Sequence, residues 1–324
     1  MRLGLVFAVL ATPAFANVEE AVEDYILPGV DRFAEAAAAL AEAAEADCTA
    51  DALRPSYLTA LDAWAPIADI RIGPAEAGAL TIAYWPDERG AGMKTLRGLI
   101  AKEDPVGQDP VAYAAVSAAA RGFPALDLLL GDPELSTYAS GSYTCDLVQT
   151  VTADLAKQAE QISDGWDVEA TALTTAGDPN NASYLSEDEA FQALYTQILS
   201  SLEFTADSRL GRPLGEAGRP RPTRAEFWRS GRPLLNAQAS AEGAVRLAGL
   251  LSGGPLVASE AALDQVRRAA AVIDDPSFQD IEDPSARLKL EILQQRVRAL
   301  LDALEVEVGS PRGLQPGFNS RDGD

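Results

Sequence analysis

The segment Arg121-Gly122-Phe123-Pro124-Ala125-Leu126-Asp127 sets one carboxylate three residues after a proline in an otherwise apolar run, in a chain that has no histidine. The missing imidazole removes several chemistries at once. There is no Ser-His or Cys-His nucleophile pair, no zinc site of the HExxH kind, and no imidazole acid or base. Lysine is scarce, occurring only at positions 94, 102, 157 and 289. Carboxylates, guanidiniums, hydroxyls and indoles are what remain. A carboxylate pair can act as general acid and base, but 49 acidic residues leave no single pair standing out.

Three further stretches carry groups of the right kind. Asp62 to Gly90, DAWAPIADIRIGPAEAGALTIAYWPDERG, holds Trp64, Arg71, Trp85 and Asp87. Its tryptophans serve either as core plugs at helix ends or, in the Trp-Pro-Asp turn, as an aromatic face beside Asp87. Asp207 to Asn236 holds Arg212, Arg219, Arg221, Arg224, Arg229 and Arg232. These either neutralise an acidic surface, where each pair is worth about 0–1 kcal/mol, or line a pocket. The chain closes on GFNSRDGD, Gly317 to Asp324.

Taken together and in this order, the four segments resemble the imelysin-like family of exported bacterial proteins, also filed as peptidase family M75. The resemblance covers nearly all of the chain after its first sixteen residues. The family's central motif is GxHxxE, with a metal-binding or peptidase role attached to its His and Glu. Here Gly122 keeps the glycine, Pro124 stands where the histidine would be, and Asp127 replaces the glutamate. Proline offers no ligand atom, so a histidine-dependent metal site is not inherited at this position. The segment looks like the branch of the family with a GxPALE-type motif.

That resemblance implies an iron-linked exported role, with iron-uptake or haem-containing periplasmic proteins as partners. It also implies that Arg229, Ser230 and Arg232, which follow Gly211-Arg212-Pro213 in the family's order, face Asp127 across a cleft between two domains. The candidate cleft is therefore Arg71, Trp85, Asp87, Asp127, Arg229, Ser230 and Arg232. Gly122, Pro124, Gly211, Arg212, Pro213, Gly231 and Asn236 are its motif positions. Asp127 beside guanidinium groups is expected to ionise readily, and it is the candidate metal ligand. Phe318 and Asn319 are expected to dock the chain end on the body, with Asp322 and Asp324 as hard-cation ligands. Oxygen ligands suit calcium, magnesium or ferric iron. Iron enters as bare cation, through carboxylates, or within an anionic chelate, through arginines. A non-catalytic binding or accessory role leads; a metallopeptidase resting on Asp127 and a protein-interaction scaffold are the alternatives.

The elements that must position these groups are helical. In LSEDEAFQALYTQILSSLEF, Ser186 and Glu189 form a capping box, and Phe191, Leu194, Tyr195, Ile198 and Leu202 recur at helical spacing. The same spacing links Leu293, Val297, Leu300 and Leu304, and Phe33, Ala37, Leu40 and Ala44. No comparable alternation of β-branched residues occurs, so the fold class is all-α, with two packed helical-bundle domains expected at 17–176 and 182–324. Within the motif, Gly122 is expected to end a helix that begins near Asp109 and Pro124 to open the next one. Asp127 then lies near the positive end of that helix, with Leu126, Leu128, Leu129 and Leu130 in the core.

Residues 1–16 read as a secretory signal peptide: Arg2, the apolar run Leu3 to Leu10, Pro13, and the small-residue pattern Ala14-Phe15-Ala16. That run is too short for a membrane span, and no later segment comes near the length of one. Cys48 and Cys145 are the only cysteines, and an even count in an exported chain favours a disulfide over metal ligation by two thiolates without histidine. A formal charge of −23 speaks against nucleic acid, which is bound by neutralising phosphates.

Overall fold

The computed structural model describes residues 17–314; the expected signal peptide and the closing GFNSRDGD, with Phe318, Asn319, Asp322 and Asp324, lie outside the described residues. In chain order the α-helices are α1 (Val18–Ala21), α2 (Leu27–Ala46), α3 (Ala50–Trp64), α4 (Pro74–Ile82), α5 (Ala91–Lys102), α6 (Gly122–Gly131), α7 (Tyr143–Thr174), α8 (Glu187–Phe204), α9 (Gly211–Leu214), α10 (Pro233–Ser252), α11 (Val257–Ala270) and α12 (Pro284–Leu304). Among the described residues the only β-pairing is an isolated bridge between Glu216 and Arg219, so the chain is all-α.

Local chemistry sets the helix starts. Ser142, Ser186 and Asp283 accept backbone N–H groups at the starts of α7, α8 and α12. At α8 the Glu189 carboxylate reaches back to the Leu185 N–H at 2.6 Å, one residue earlier than the usual capping-box partner. The helical stripes then bury as their spacing requires. Phe191, Leu194, Tyr195, Ile198 and Leu202 of α8 are all in the core, as are Phe33, Ala37, Leu40 and Ala44 of α2.

In the N-terminal half, α2 packs along α3 and the long α7, and α6 lies across α3 and α7. A disulfide between Cys48 and Cys145, with Cα atoms 5.4 Å apart, ties the α2–α3 junction to the first turn of α7. In the C-terminal half, α10 packs on α8 and α11, and α12 on α11 and α8. The loop 175–186 joins α7 to α8. The buried apolar residues form a continuous cluster across both halves, to which α1 contributes by packing on α10. No helix among the described residues is long and apolar enough to cross a membrane.

The helix expected to begin near Asp109 does not form. Residues 105–120 instead make three short 3-10 turns, Pro105–Gln108, Ala112–Ala115 and Ala118–Ala120. Asp109 turns its side chain onto the Val111 and Ala112 N–H groups at 2.9 and 3.1 Å, offering the backbone a local alternative to a helix.

Candidate functional site

Arg121 fixes the motif before Asp127 is reached. Its guanidinium donates to both oxygens of Asp154 on α7, at 2.9 and 2.7 Å, and to the Ala114 carbonyl at 3.0 Å. Gln158 completes the buried group by donating to Asp154 at 2.8 Å. Gly122 follows with φ +58, and a Cβ added there would lie 2.2 Å from the Ile82 carbonyl oxygen at the end of α4. Both the dihedral and the close approach require glycine. Pro124 occupies the first turn of α6, where a backbone N–H has no intrahelical partner to lose.

Asp127 emerges one turn later, only 5 % exposed. Ser230 donates its hydroxyl to Asp127 Oδ1, and Tyr57 of α3 has its hydroxyl 3.1 Å from the same Ser230 oxygen. A hydroxyl carries one proton, so Tyr57 donates to Ser230 and a chain Tyr57–Ser230–Asp127 results. Arg229 Nη1 stands 3.8 Å from Asp127 Oδ2 but spends its shorter contacts on Asp132, at 3.1 Å. Asp127 ionises less readily than its neighbouring guanidiniums suggest. Burial pushes the Asp127 carboxyl up to about 6, outweighing the Ser230 hydrogen bond, Arg229 and Arg54, which pull it down. The same burial, with the Asp127 charge adding to it, holds Tyr57 well above the ordinary tyrosine value.

A hollow of about 440 Å³ opens beside Asp127. One wall is the segment Tyr84 to Glu88 with Gly90, continued by Met93 of α5. The floor is Pro124, Asp127 and Leu128. The facing wall comes from the C-terminal half: Arg212 of α9, Thr223 to Ala225, and Phe227 to Arg229. Leu128, expected in the core with Leu126, Leu129 and Leu130, is half-buried here because the hollow opens over its side of α6. Asp87 accepts the Ala91 and Gly92 N–H groups at 2.9 and 2.8 Å, fixing the start of α5. Arg212 pairs with Glu88 and lies over the Trp85 ring, 5.9 Å from its centroid; Arg229 lies over Trp228 at 4.4 Å.

The turn carrying Trp228 and Arg229 is held in an uncommon backbone shape. Phe227, a buried aromatic, sits at φ +50 and ψ 40, and Gly231 closes the turn at φ +67. The Phe227 carbonyl accepts the N–H groups of Ser230 and Arg232 at 3.1 and 3.4 Å. An aromatic residue in this region is under strain, and such strain concentrates at functional sites.

Of the cleft predicted from sequence, Trp85, Asp87, Asp127 and Arg229 therefore line the hollow, and Ser230 lies behind it, bonded to Asp127. Two residues go elsewhere. Arg232 turns to Asp62 of α3 in a two-point contact at 2.8 and 3.1 Å, because α10 begins at the next residue and Asp62 is the carboxylate within its reach. Arg71 lies over Phe204 at 5.0 Å, its N–H donates to Gln197 at 2.9 Å, and it lines a separate hollow with Asp69 and Asp207. Phe204 packs edge-on against Trp85 from that direction, 5.8 Å between centroids. Trp64 is a core plug.

A second buried group had no clear signal in the sequence. Arg209, in the π-helical turn Thr205–Leu210 that continues α8, is 4 % exposed and donates to Asp69 at 2.6 and 3.0 Å and to Glu226 at 2.9 Å. Burial works against its charge, but Asp69 and Glu226 overcome it and raise its pKa. Asn236 of α10 donates to Glu226 at 3.2 Å, while its buried Oδ1 has no hydrogen-bond partner. Gly211 and Pro213 place Arg212: Pro213 is buried and its carbonyl accepts the Arg221 N–H at 2.7 Å. Trp228, Phe227 and Tyr57 were also missed; the indole beside the Arg-Ser-Gly-Arg turn was the available clue to the first two.

A resident metal does not fit this arrangement. Pro124 supplies no ligand, Asp127 is engaged by Ser230 and faces a guanidinium, and no group of three or more His, Cys, Asp or Glu among the described residues could hold a metal ion.

The sequence profile of imelysin, peptidase family M75, matches residues 26–304. The fold is similar to the crystal structure of an imelysin-like protein from Psychrobacter arcticum 273-4, with a TM-score of 0.76, 18 % identity, 97 % of this chain and 100 % of that chain covered. It is also similar to that of a putative iron-regulated protein A precursor from Parabacteroides distasonis ATCC 8503, with a TM-score of 0.67, 15 % identity, and coverage of 90 % and 95 %. No curated protein matches the chain in sequence.

Proposed function

Because the chain belongs to the imelysin family, we propose that it is an exported, non-catalytic binding or accessory protein in iron acquisition, holding its ligand in the hollow above Asp127. The observation that carries this reading is the hollow itself. Its volume falls in the range of roughly 300–1,000 Å³ usual for small-molecule sites, and both halves of the chain supply its walls. The similarity to the Parabacteroides structure, that of a putative iron-regulated protein A precursor, supports the iron link. Export to the periplasm rests on the pattern of the first sixteen residues, and the partners in this reading are iron-uptake or haem-containing proteins of that compartment.

A catalytic role has little to work with. Asp127 is the only carboxylate of the motif, its first oxygen accepts from Ser230, and a second carboxylate free to share acid and base duties is missing from the hollow walls, where Asp87 caps α5 and Glu88 holds Arg212.

The test is calorimetric titration of the mature protein, beginning at Asn17, with Fe(II), Fe(III), Cu(II), Ca(II) and haem. Uptake of iron or haem at one per chain, abolished by Thr223→Trp at the exposed rim of the hollow, supports the reading. Uptake unaffected by that substitution removes the hollow from it. Metal-loaded protein is expected to leave casein uncut, and cleavage that is lost in Asp127→Asn would favour the peptidase alternative.

A further inference from the structure

Resting on the hollow as the ligand site, we infer that what it takes is a small organic anion with a flat apolar body, an aromatic carboxylate, and that any iron enters only as a complex of such an anion. The charges of the hollow are not equally available. Asp87 has both oxygens on backbone N–H groups at the start of α5. Glu88 is taken by Arg212, and Asp127 by Ser230 with Arg229 on its other side. A bare cation would have to displace one of these contacts, and at Glu88 and Asp127 it would meet a guanidinium as well.

The cationic side differs. Arg224 is exposed on the wall of the hollow. The Glu88 carboxyl is held below its ordinary value mainly by Arg212, the closest cation, which makes the direct ion pair, and the Arg224 charge only adds to this. In a protein of net charge −23, a guanidinium in a concave wall, beside the Pro222–Arg224 turn and with its nearest carboxylate already bonded to Arg212, is an exception to the surrounding field. A guanidinium offers a planar fork that matches a carboxylate in two-point contact. Arg212, whose partner Glu88 is itself exposed, stands on the same side and can turn from that carboxylate to the ligand's. The flat body follows from the remaining walls. Trp85 and Trp228, both half-buried, present indole surface into the hollow, with Tyr84 and Met93 extending it. Aromatic rings stack well on such surface, and a small polyol or an aliphatic amine gains little from it.

The probe is 2,3-dihydroxybenzoate, a flat anion that also binds Fe(III), titrated into the mature protein with and without equimolar Fe(III). We expect one site per chain for the iron-free anion, and binding weakened about tenfold in Arg224→Gln, the loss of one charge-assisted contact. 2,3-Dihydroxybenzamide, which keeps the ring and loses the charge, is expected to bind about tenfold more weakly to the wild type and equally to the variant. Arg224 is exposed and acts only on the exposed Glu88, so unfolding midpoints of the two proteins should coincide. Equal binding of benzoate and benzamide, or an Arg224→Gln variant with unchanged affinity, overturns the inference. If Fe(III) alone binds and Thr223→Trp blocks it while Arg224→Gln does not, the hollow stands as the ligand site and only the anion is refuted. If Thr223→Trp leaves every ligand bound, the hollow itself falls.

Discussion

Ser230 donates its hydroxyl to the Asp127 carboxylate across 103 residues of sequence, joining the arginine-rich turn of the C-terminal half to the motif helix of the N-terminal half. The contact sits where burial has raised the Asp127 carboxyl to about 6 from an ordinary 3.8. An acid whose folded value exceeds its unfolded one favours the fold when protonated. Its contribution is complete below about pH 4 and is lost as pH rises through about 6. Asp127→Asn cannot ionise and keeps an acceptor for Ser230. Its stability relative to the wild type should therefore rise between these two pH values, by on the order of 2–3 kcal/mol, and level off above them. Urea unfolding at a series of pH values measures this; a pH-independent difference would contradict the buried, uncharged-leaning carboxyl.

Gly122 and Gly98 give opposite outcomes for the same substitution. Gly122→Ala meets the Ile82 carbonyl at 2.2 Å and a φ of +58, and should lose about 2–4 kcal/mol. Gly98 lies within α5 with nothing within 4 Å of an added Cβ, so Gly98→Ala should be neutral or stabilising by up to about 1 kcal/mol. Denaturant midpoints of the two variants decide it.

Arg121→Met leaves Asp154, 3 % exposed, with Gln158 as its remaining partner. Breaking a buried pair from one side costs about 3–5 kcal/mol. Adding Asp154→Leu should recover much of the loss, since the uncompensated charge goes with it. Chemical unfolding of the two single variants and the double variant closes the cycle. Additive losses would mean that the pair is not coupled.

Arg209→Met is expected to be the more damaging arginine substitution, because it takes the main cation from two carboxylates instead of one, leaving Asp69 with Ser240 and the more distant Arg71, and Glu226 with Asn236. Arg209→Lys should also destabilise, by about 2 kcal/mol or more, as one ammonium cannot span acceptors held by three guanidinium nitrogens. Thermal unfolding of both variants beside Arg121→Met ranks the effects.

Reducing the Cys48–Cys145 bond opens a link between residues 97 apart. In the chain-entropy treatment such a loop contributes about 4–5 kcal/mol, less any strain. The reduced protein, or Cys48→Ser with Cys145→Ser, should unfold at lower denaturant by up to that amount, as read from paired denaturation curves.

Much of this architecture was legible because it is written at short range. Helical spacing in α2, α8 and α12, the Ser186 cap, and the glycine and proline breaks each act within a turn or a loop, so Phe191, Leu194 and Ile198 could be placed in the core from their spacing alone. The same locality misled at Asp109, where a helix-compatible stretch is diverted by its own side chain into 3-10 turns. At Asp127 the arginines placed beside it by the resemblance argued for a charge that its depth in the protein opposes.

The sequence by itself determined the all-α class and the pairing of the only two cysteines, because helix period, turn chemistry and cysteine count depend on neighbours or on simple elimination; that the Asp127 and Arg229 segments face one another came only from the family resemblance. Only the tertiary structure decided which guanidinium reaches which carboxylate. Arg229 goes to Asp132, Arg232 to Asp62, Arg209 to Asp69 and Glu226, and Arg71 to a different hollow altogether. Long flexible side chains choose among many partners of opposite charge. That choice depends on distance and burial, which arise only when elements a hundred residues apart are packed against one another.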